Sequence, residues 1–168
     1  MKKNLVVVAI FASAMLLGSS AAYAQAPATA TANKSITDQD IQLLRQDLRS
    51  QKKQLIAANL PLTDAEAVKF WPVYDQYTAE LIKVNDGKYA TIKEYAASYA
   101  TMTDAQATSL IQRWLESDQS TAQLRLKYVP IVEKVLPGKK AAMFFQMDRR
   151  VALMIDMQLA SEIPMVQP

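Results

Sequence analysis

The 168-residue sequence contains no cysteine and no histidine. Without cysteine the chain forms no disulfide, carries no thiol nucleophile or thiolate metal ligand, and has no cysteine for N-terminal lipid attachment. Without histidine it lacks the most common general base and the most common transition-metal ligand. Glycine is scarce, with three residues, and no sustained period-two alternation of apolar residues occurs. These absences exclude thiol- and imidazole-based sites and favour an all-α fold.

The remaining residue types give little indication of catalysis. The acidic residues are scattered over predicted polar helix faces and do not form a carboxylate pair. The sequence also has no Gly-rich phosphate-binding loop and no G-x-S-x-G motif. We therefore expect a protein that is not an enzyme and that needs no cofactor.

The first 24 residues have the pattern of a secretory signal peptide. Lys2 and Lys3 precede the apolar stretch Leu5–Gly18, and Ala22-Tyr23-Ala24 supplies the small-x-small cleavage site. The apolar stretch is short for a membrane span, and no second one follows, so we expect no membrane span once the signal is removed. A retained N-terminal anchor is the alternative interpretation.

Removal of this segment also changes the charge balance. The chain has 19 basic and 16 acidic residues, and without Lys2 and Lys3 the formal net charge falls from +3 to +1. A chain so close to neutrality gives no reason to expect nucleic acid or an anionic membrane as a partner. The remaining 144 residues are enough for one domain with a core.

The rest of the chain is predicted to consist of a disordered leader (25–35), a single all-helical domain (36–163) and a short tail (164–168). The leader is small, polar and patternless. Within the domain, apolar residues recur at three-, four- and seven-residue steps. This periodicity, with capping and stop signals, predicts four helices. The first helix starts after Thr37, with Ile36 packing onto Ile41, and ends at Asn59-Pro61. The second starts after Thr63 and ends before Thr103, and the third starts after Thr103 and ends at Leu136-Pro137-Gly138. The fourth runs from near Lys139 to near Ser161.

Three residues interrupt the predicted helices. Gly87 weakens the middle of the second helix, so a break there is expected at Asp86-Gly87 if the helix has one. Pro72 and Pro130 fall inside the second and third helices, where proline either marks a boundary or produces a kink. Because the apolar periodicity continues through both prolines, kinks are favoured. The expected fold is therefore all-α, with four long, partly kinked helices.

Two nearly identical hexapeptides, LTDAEA at 62–67 and MTDAQA at 102–107, open the second and third helices. In both, threonine is followed three residues later by Glu or Gln, which is the capping-box pattern. The residues concerned are Leu62, Thr63 and Glu66 in the first copy and Met102, Thr103 and Gln106 in the second. Capping explains them fully, so no catalytic or ligand-binding role is assigned to them.

The duplicated motif resembles the L-T-x-x-Q signature of the Spy/CpxP family of periplasmic stress chaperones. The resemblance extends to the segments LTDAEAVKFWPVYDQY (62–77) and KVLPGKKAAMFFQMDRR (134–150) and covers most of the mature chain. Glu66 replaces the signature Gln in the first copy, and Met102 replaces Leu in the second.

This resemblance implies an ATP-independent chaperone, or an adaptor that damps an envelope-stress sensor kinase by binding its periplasmic domain. It also implies a periplasmic location, a cradle or open bundle of helical hairpins, and a homodimer that binds partly unfolded proteins through an apolar face. The candidate contributors to that face are Met143, Phe144, Met147 and Met154.

The methionines of the fourth helix allow three interpretations. Met143, Met147, Met154 and Met157 fall within an arc of about 80° on the helix surface. Adaptable core packing is favoured. A conformable surface for varied clients is the second interpretation. The third is a soft-metal site for Cu(I), which would make the chain a metal-binding or metal-sensing accessory protein. A structural envelope component that assembles through its long helices remains a further alternative for the whole protein.

The aromatic residues at the start of the second helix indicate a buried face. Phe70, Tyr74 and Tyr77 have i, i+4, i+7 spacing, and Trp71 lies beside them. Packing in the core is favoured over a ligand pocket lined by these rings.

Overall fold

The computed structural model describes residues 38–166. Within this range the chain forms four α-helices and no strand, which confirms the predicted all-α fold. The helices are α1 (Asp38–Asn59), α2 (Asp64–Ser98), α3 (Asp104–Glu133) and α4 (Gly138–Glu162). The predicted signal peptide, the leader, the cap at Ile36 and Thr37, and the last two residues of the predicted tail lie outside the described residues.

The chain divides into two compact units, with the boundary inside α1 after Ser50. In the first unit, α1 leaves Leu43 and Leu44 exposed by 55% and 44%. The second unit contains the last part of α1, from Gln51 onward, together with α2, α3 and α4. All contacts described below lie within this second unit.

Both capping boxes predicted from the sequence are present. The Thr63 N–H donates to Glu66 Oε2 over 2.8 Å, and the Glu66 N–H donates to Thr63 Oγ1 over 3.3 Å. Thr103 and Gln106 repeat this pair of hydrogen bonds at 2.8 and 3.3 Å. Each box provides acceptors for two backbone N–H groups, that of the threonine and that of the residue three positions later, which have no partner within the helix. For this reason α2 and α3 begin where they do.

Replacing Thr63 or Thr103 with alanine should lower the free energy of unfolding by about 1 kcal/mol, because one N-terminal amide of the helix loses its acceptor. Urea denaturation followed by circular dichroism measures this loss. Serine at the same position keeps the hydroxyl and is the matched control. If serine destabilises the protein as much as alanine does, the capping hydrogen bond is not the cause.

Neither proline ends a helix. Pro72 and Pro130 both lie inside continuous α-helices, so the boundary interpretation is wrong. Each ring lies on an exposed face, and the residues four positions earlier, Val68 and Leu126, are 76% and 70% exposed. The carbonyls that lose a helical donor therefore lie on the exposed side of the helix, where water can hydrate them.

The second helix has no break at Asp86-Gly87, the position expected for one if the helix had any, because α2 continues through Gly87 to Ser98. The Thr91 hydroxyl donates to the Gly87 carbonyl over 3.1 Å, and the neighbouring Lys88 is held by side chains of α3 and α4. Tertiary contacts therefore outweigh the low helix propensity of glycine, whose cost is only about 1 kcal/mol.

The second unit is built on the α2–α3 hairpin, against which α4 packs. A short connection, residues 99–103, reverses the chain between α2 and α3, and residues 134–137 reverse it again before α4. Contacts between α2 and α4 follow the same direction in both helices, so these two run parallel. From the start of α2 to its end, the pairs are Phe70 with Phe144, Lys88 with Asp156 and Tyr95 with Pro164.

The core lies where the first half of α2, the second half of α3, the first half of α4 and the end of α1 meet. Phe70, Tyr77 and Phe144 have no exposed surface, and their rings meet edge to face. The predicted burial of the α2 aromatic face is therefore confirmed, with Trp71 packed at its margin. The other buried apolar members of this core are Ile56, Leu60, Tyr74, Leu81, Leu124, Tyr128, Val132, Leu136 and Ala141.

Candidate functional site

The methionines of α4 differ in their exposure. Met147 is partly buried and packs against the core, whereas Met143 has 37% of its surface exposed. Met154 and Met157 are 57% and 73% exposed. The core-packing interpretation is therefore wrong for Met154 and Met157, which present their thioethers to solvent.

Phe144 belongs to the core and not to an exposed surface. Its ring lies 5.2 Å from that of Phe70 and 5.8 Å from that of Tyr77, and none of its surface is exposed. The assignment of Phe144 to a client-binding face is corrected accordingly, because a residue with no exposed surface cannot contact a client in this structure.

Leu153 joins Met154 and Met157 to form an exposed apolar surface, which we call the α4 patch. Leu153 is 48% exposed and precedes Met157 by four residues, and Met154 precedes Met157 by three. Side chains at these spacings are neighbours on a helix surface, so the three form one continuous area. The sequence interpretation missed Leu153 because it considered only the narrow methionine arc; the i, i+4 spacing to Met157 was the available signal.

An ion-pair network fastens the second half of α4 to α2 and α3 while the α4 patch stays exposed. Lys88 Nζ lies 2.8 Å from Asp156 and 3.3 Å from Asp118, and 5.3 Å from the centre of the Trp114 ring. The Tyr95 hydroxyl donates to the Pro164 carbonyl over 2.7 Å, just beyond the end of α4. The position of the patch is therefore set by polar contacts and not by burial of its own apolar residues.

The single difference in charge between the two hexapeptides has a structural reason. Glu66 caps α2 and also accepts from Lys140 of α4, with Nζ 2.6 Å from Oε2. The hydrogen bond from Lys140 is the main reason that the pKa of Glu66 lies below its usual value. Gln106 makes the corresponding cap on α3 without an ion pair. Glutamate in the first copy thus adds a link between α2 and α4.

A buried carboxylate, Asp148 of α4, is the centre of a second polar cluster. It has no exposed surface, and it accepts hydrogen bonds from the end of α1, from α2 and from α3. The donors are Lys52, the Tyr77 hydroxyl (2.8 Å) and Arg125 Nε (2.8 Å). We call these four residues the Asp148 cluster. It links all four helices through one side chain.

The charges of the Asp148 cluster keep its carboxylate ionised. Burial raises the pKa of Asp148, but the positive charge of Lys52 and the hydrogen bonds from Lys52 and Arg125 more than offset this, so the pKa lies below its usual value. Burial, followed by the nearby Asp148 charge, raises the pKa of Tyr77, which therefore stays a donor. At neutral pH the cluster is one anion between two cations.

The sequence interpretation missed the Asp148 cluster. Its members are 71, 96 and 23 residues from Asp148 in the sequence, and spacing does not reveal such pairings. The available signal was the position of Asp148, four residues after Phe144 on the core-facing side of α4.

Two open clefts lie along the α2–α3 hairpin. The larger, about 590 Å³, is lined mainly by polar side chains, namely Glu80, Lys83, Ser120, Gln123 and Lys127, with Val84 and Leu124. Glu80 forms an ion pair with Lys127 at 2.5 Å and accepts a hydrogen bond from the Tyr128 hydroxyl at 2.8 Å. The opposite charges of the lining residues Glu80 and Lys127 thus pair with each other across the hairpin, and no ligand is assigned to the cleft.

Among the described residues, no group of three or more acidic side chains is placed to hold a metal ion, and no helix is long and apolar enough to cross a membrane. Comparisons of the chain with family models, with curated proteins and with solved structures find no match.

Proposed function

We propose that the protein is an ATP-independent periplasmic chaperone, or an adaptor of an envelope-stress sensor, that binds partly unfolded polypeptides and has no enzymatic activity. The α4 patch supports this proposal most directly. Met154 and Met157 are 57% and 73% exposed although each carries a large apolar side chain. Exposed large apolar side chains grouped on one face commonly mark a protein-binding site.

The residue types of the patch suit a partner without a fixed shape. A methionine side chain is unbranched and has three rotatable bonds, so its thioether can pack against many different surfaces. Binding proteins with many partners use such side chains for the same reason. An unfolded client offers varied apolar segments, and Met154 and Met157 can accommodate them without a shaped pocket.

The sequence resemblance supports the cellular setting of the proposal. The resemblance to the Spy/CpxP family rests on the two T-x-x-E/Q hexapeptides, the FWPVY segment in α2 and the KVLP segment before α4. A periplasmic location and a homodimer are expectations that come from this resemblance together with the signal-peptide pattern.

An aggregation assay tests the proposal. A chemically unfolded model client is diluted into buffer without ATP, and light scattering is followed with and without an equimolar amount of the protein. We expect the protein to slow aggregation, because the α4 patch competes with client–client contacts. An unchanged aggregation rate would contradict the chaperone function.

A further inference from the structure

Residues 51–59, the last part of α1, are attached to the other helices by side chains alone. No Cα atom of this segment lies within 8 Å of a Cα atom of α2, α3 or α4, whereas α2 and α3 approach each other that closely. The contacts that hold the segment include Lys52 on Asp148, Lys53 on Asp75 (2.6 Å) and over the Trp71 and Tyr74 rings (5.4 and 5.6 Å), and insertion of Ile56 into the core. Its attachment therefore depends on a few long side chains.

These polar attachments differ in exposure. In the Lys53–Asp75 pair the two side chains are 45% and 58% exposed, so water screens it and it contributes little. In the Lys52–Asp148 pair the side chains are 14% and 0% exposed. Lys52 thus makes the one well-buried ionic contact of the segment among those described.

Asp148 is the anion that balances two cations in this cluster. The groups that face it are Lys52 from α1, the Tyr77 hydroxyl from α2 and Arg125 from α3. On α4 itself, Arg149 and Arg150 are exposed and add further positive charge nearby. If Asp148 loses its charge, Lys52 and Arg125 remain close together without an anion between them. Arg125 belongs to α3 of the α2–α3 hairpin, whereas Lys52 belongs to the segment held by few side chains, so movement of Lys52 with its segment into solvent relieves this repulsion.

We propose that Asp148 is an acid-sensitive latch: protonation of its carboxylate releases this segment together with Leu60 (residues 51–60) from α2 and α4, while the α2–α3 hairpin stays folded. Release uncovers Ile56 and Leu60 and the part of the core on which they pack. The hairpin keeps its own contacts, since Tyr77 still packs on Tyr128 and the two helices remain closely apposed.

The direction of the pH effect follows from the charges of the cluster. A carboxylate whose pKa is lower in the folded than in the unfolded protein stabilises the fold above its unfolded pKa, about 3.9. This stabilisation is lost as the pH falls through the lower, folded pKa. The latch is therefore closed at neutral pH and opens only in strong acid, below about pH 4.

Hydrogen–deuterium exchange of the full-length protein tests the latch without any client, so its result is independent of the proposed chaperone function. The Asp148→Asn variant removes the charge at pH 7 with almost no change in shape. We expect amide exchange in residues 51–60 to accelerate on the order of 100-fold, and by a clearly larger factor than exchange in the α2–α3 hairpin. The control Asp75→Asn removes the exposed pair of the same segment and should leave exchange nearly unchanged.

An acid series on the wild type and on Lys52→Met supplies the second measurement. Corrected for intrinsic exchange rates, residues 51–60 of the wild type should open at a higher pH than the hairpin does. Lys52→Met removes the cation with which the segment binds Asp148, so the separate opening of residues 51–60 in acid should no longer be observed. The proposal is overturned if residues 51–60 and the hairpin open in one transition, or if Asp148→Asn leaves the segment as protected as Asp75→Asn does.

Discussion

Replacing Asp148 with alanine should lower the free energy of unfolding at pH 7 by about 3–5 kcal/mol, the usual cost of removing one partner from a buried ion pair. The carboxylate has no exposed surface, and its loss leaves Lys52 and Arg125 without their anion. The Tyr77 hydroxyl, buried beside them, loses its acceptor as well. Urea denaturation of the wild type and the variant measures the difference.

The matched control is Asp75→Ala, which breaks the Lys53–Asp75 ion pair between the end of α1 and α2. Because both side chains of that pair are largely exposed, its loss should cost less than about 1 kcal/mol. The stability gap between wild type and Asp148→Ala should also shrink below about pH 4, as Asp148 becomes protonated in the folded wild type. Equal effects of the two substitutions would mean that the Asp148 cluster does not stabilise the fold.

Replacing Phe144 with alanine should cost about 3–5 kcal/mol, because the change leaves a cavity that the surrounding rings fill only in part. Phe144 has no exposed surface and meets the rings of Phe70 and Tyr77 edge to face. Thermal and urea unfolding should both report the loss.

Met154→Ala is the control for this substitution, because it shortens an apolar side chain of the same helix that is 57% exposed. Its effect on stability should stay within about 0.5 kcal/mol. If Phe144→Ala is tolerated as well as Met154→Ala, Phe144 does not lie in the core.

Local features of this chain could be predicted from sequence because their causes are local. The starts of α2 and α3 depend on threonine and on Glu or Gln three residues later, and both were predicted. The burial of Phe70, Tyr74 and Tyr77 follows from their spacing on one helix face. The continuity of α2 through Gly87 was also predicted from its apolar periodicity, whereas the contacts of Lys88 with Asp118 and Asp156 were not, because those residues are distant in the sequence.

The candidate site was harder to predict because spacing on a helix does not say which way a face points. The methionine arc of α4 was recognised, and Met154 and Phe144 were both predicted to contribute to a client-binding face. In the structure Met154 is exposed, whereas Phe144 lies in the core. The Asp148 cluster was missed entirely, since Lys52 and Asp148 are 96 residues apart and meet only when the helices pack. Long-range pairing of this kind needs the structure.

The most direct test of the central claim, that clients bind the α4 patch, is the aggregation assay with two double variants. One carries Met154→Gln and Met157→Gln, which remove the exposed thioethers. The other carries Val68→Gln and Leu126→Gln, which replace two apolar residues of α2 and α3 that are 76% and 70% exposed and lie outside the patch. We predict that the first variant loses most of its protection of the client while keeping the wild-type unfolding temperature, and that the second protects like the wild type. If both variants protect the client as well as the wild type does, the α4 patch is not the binding surface.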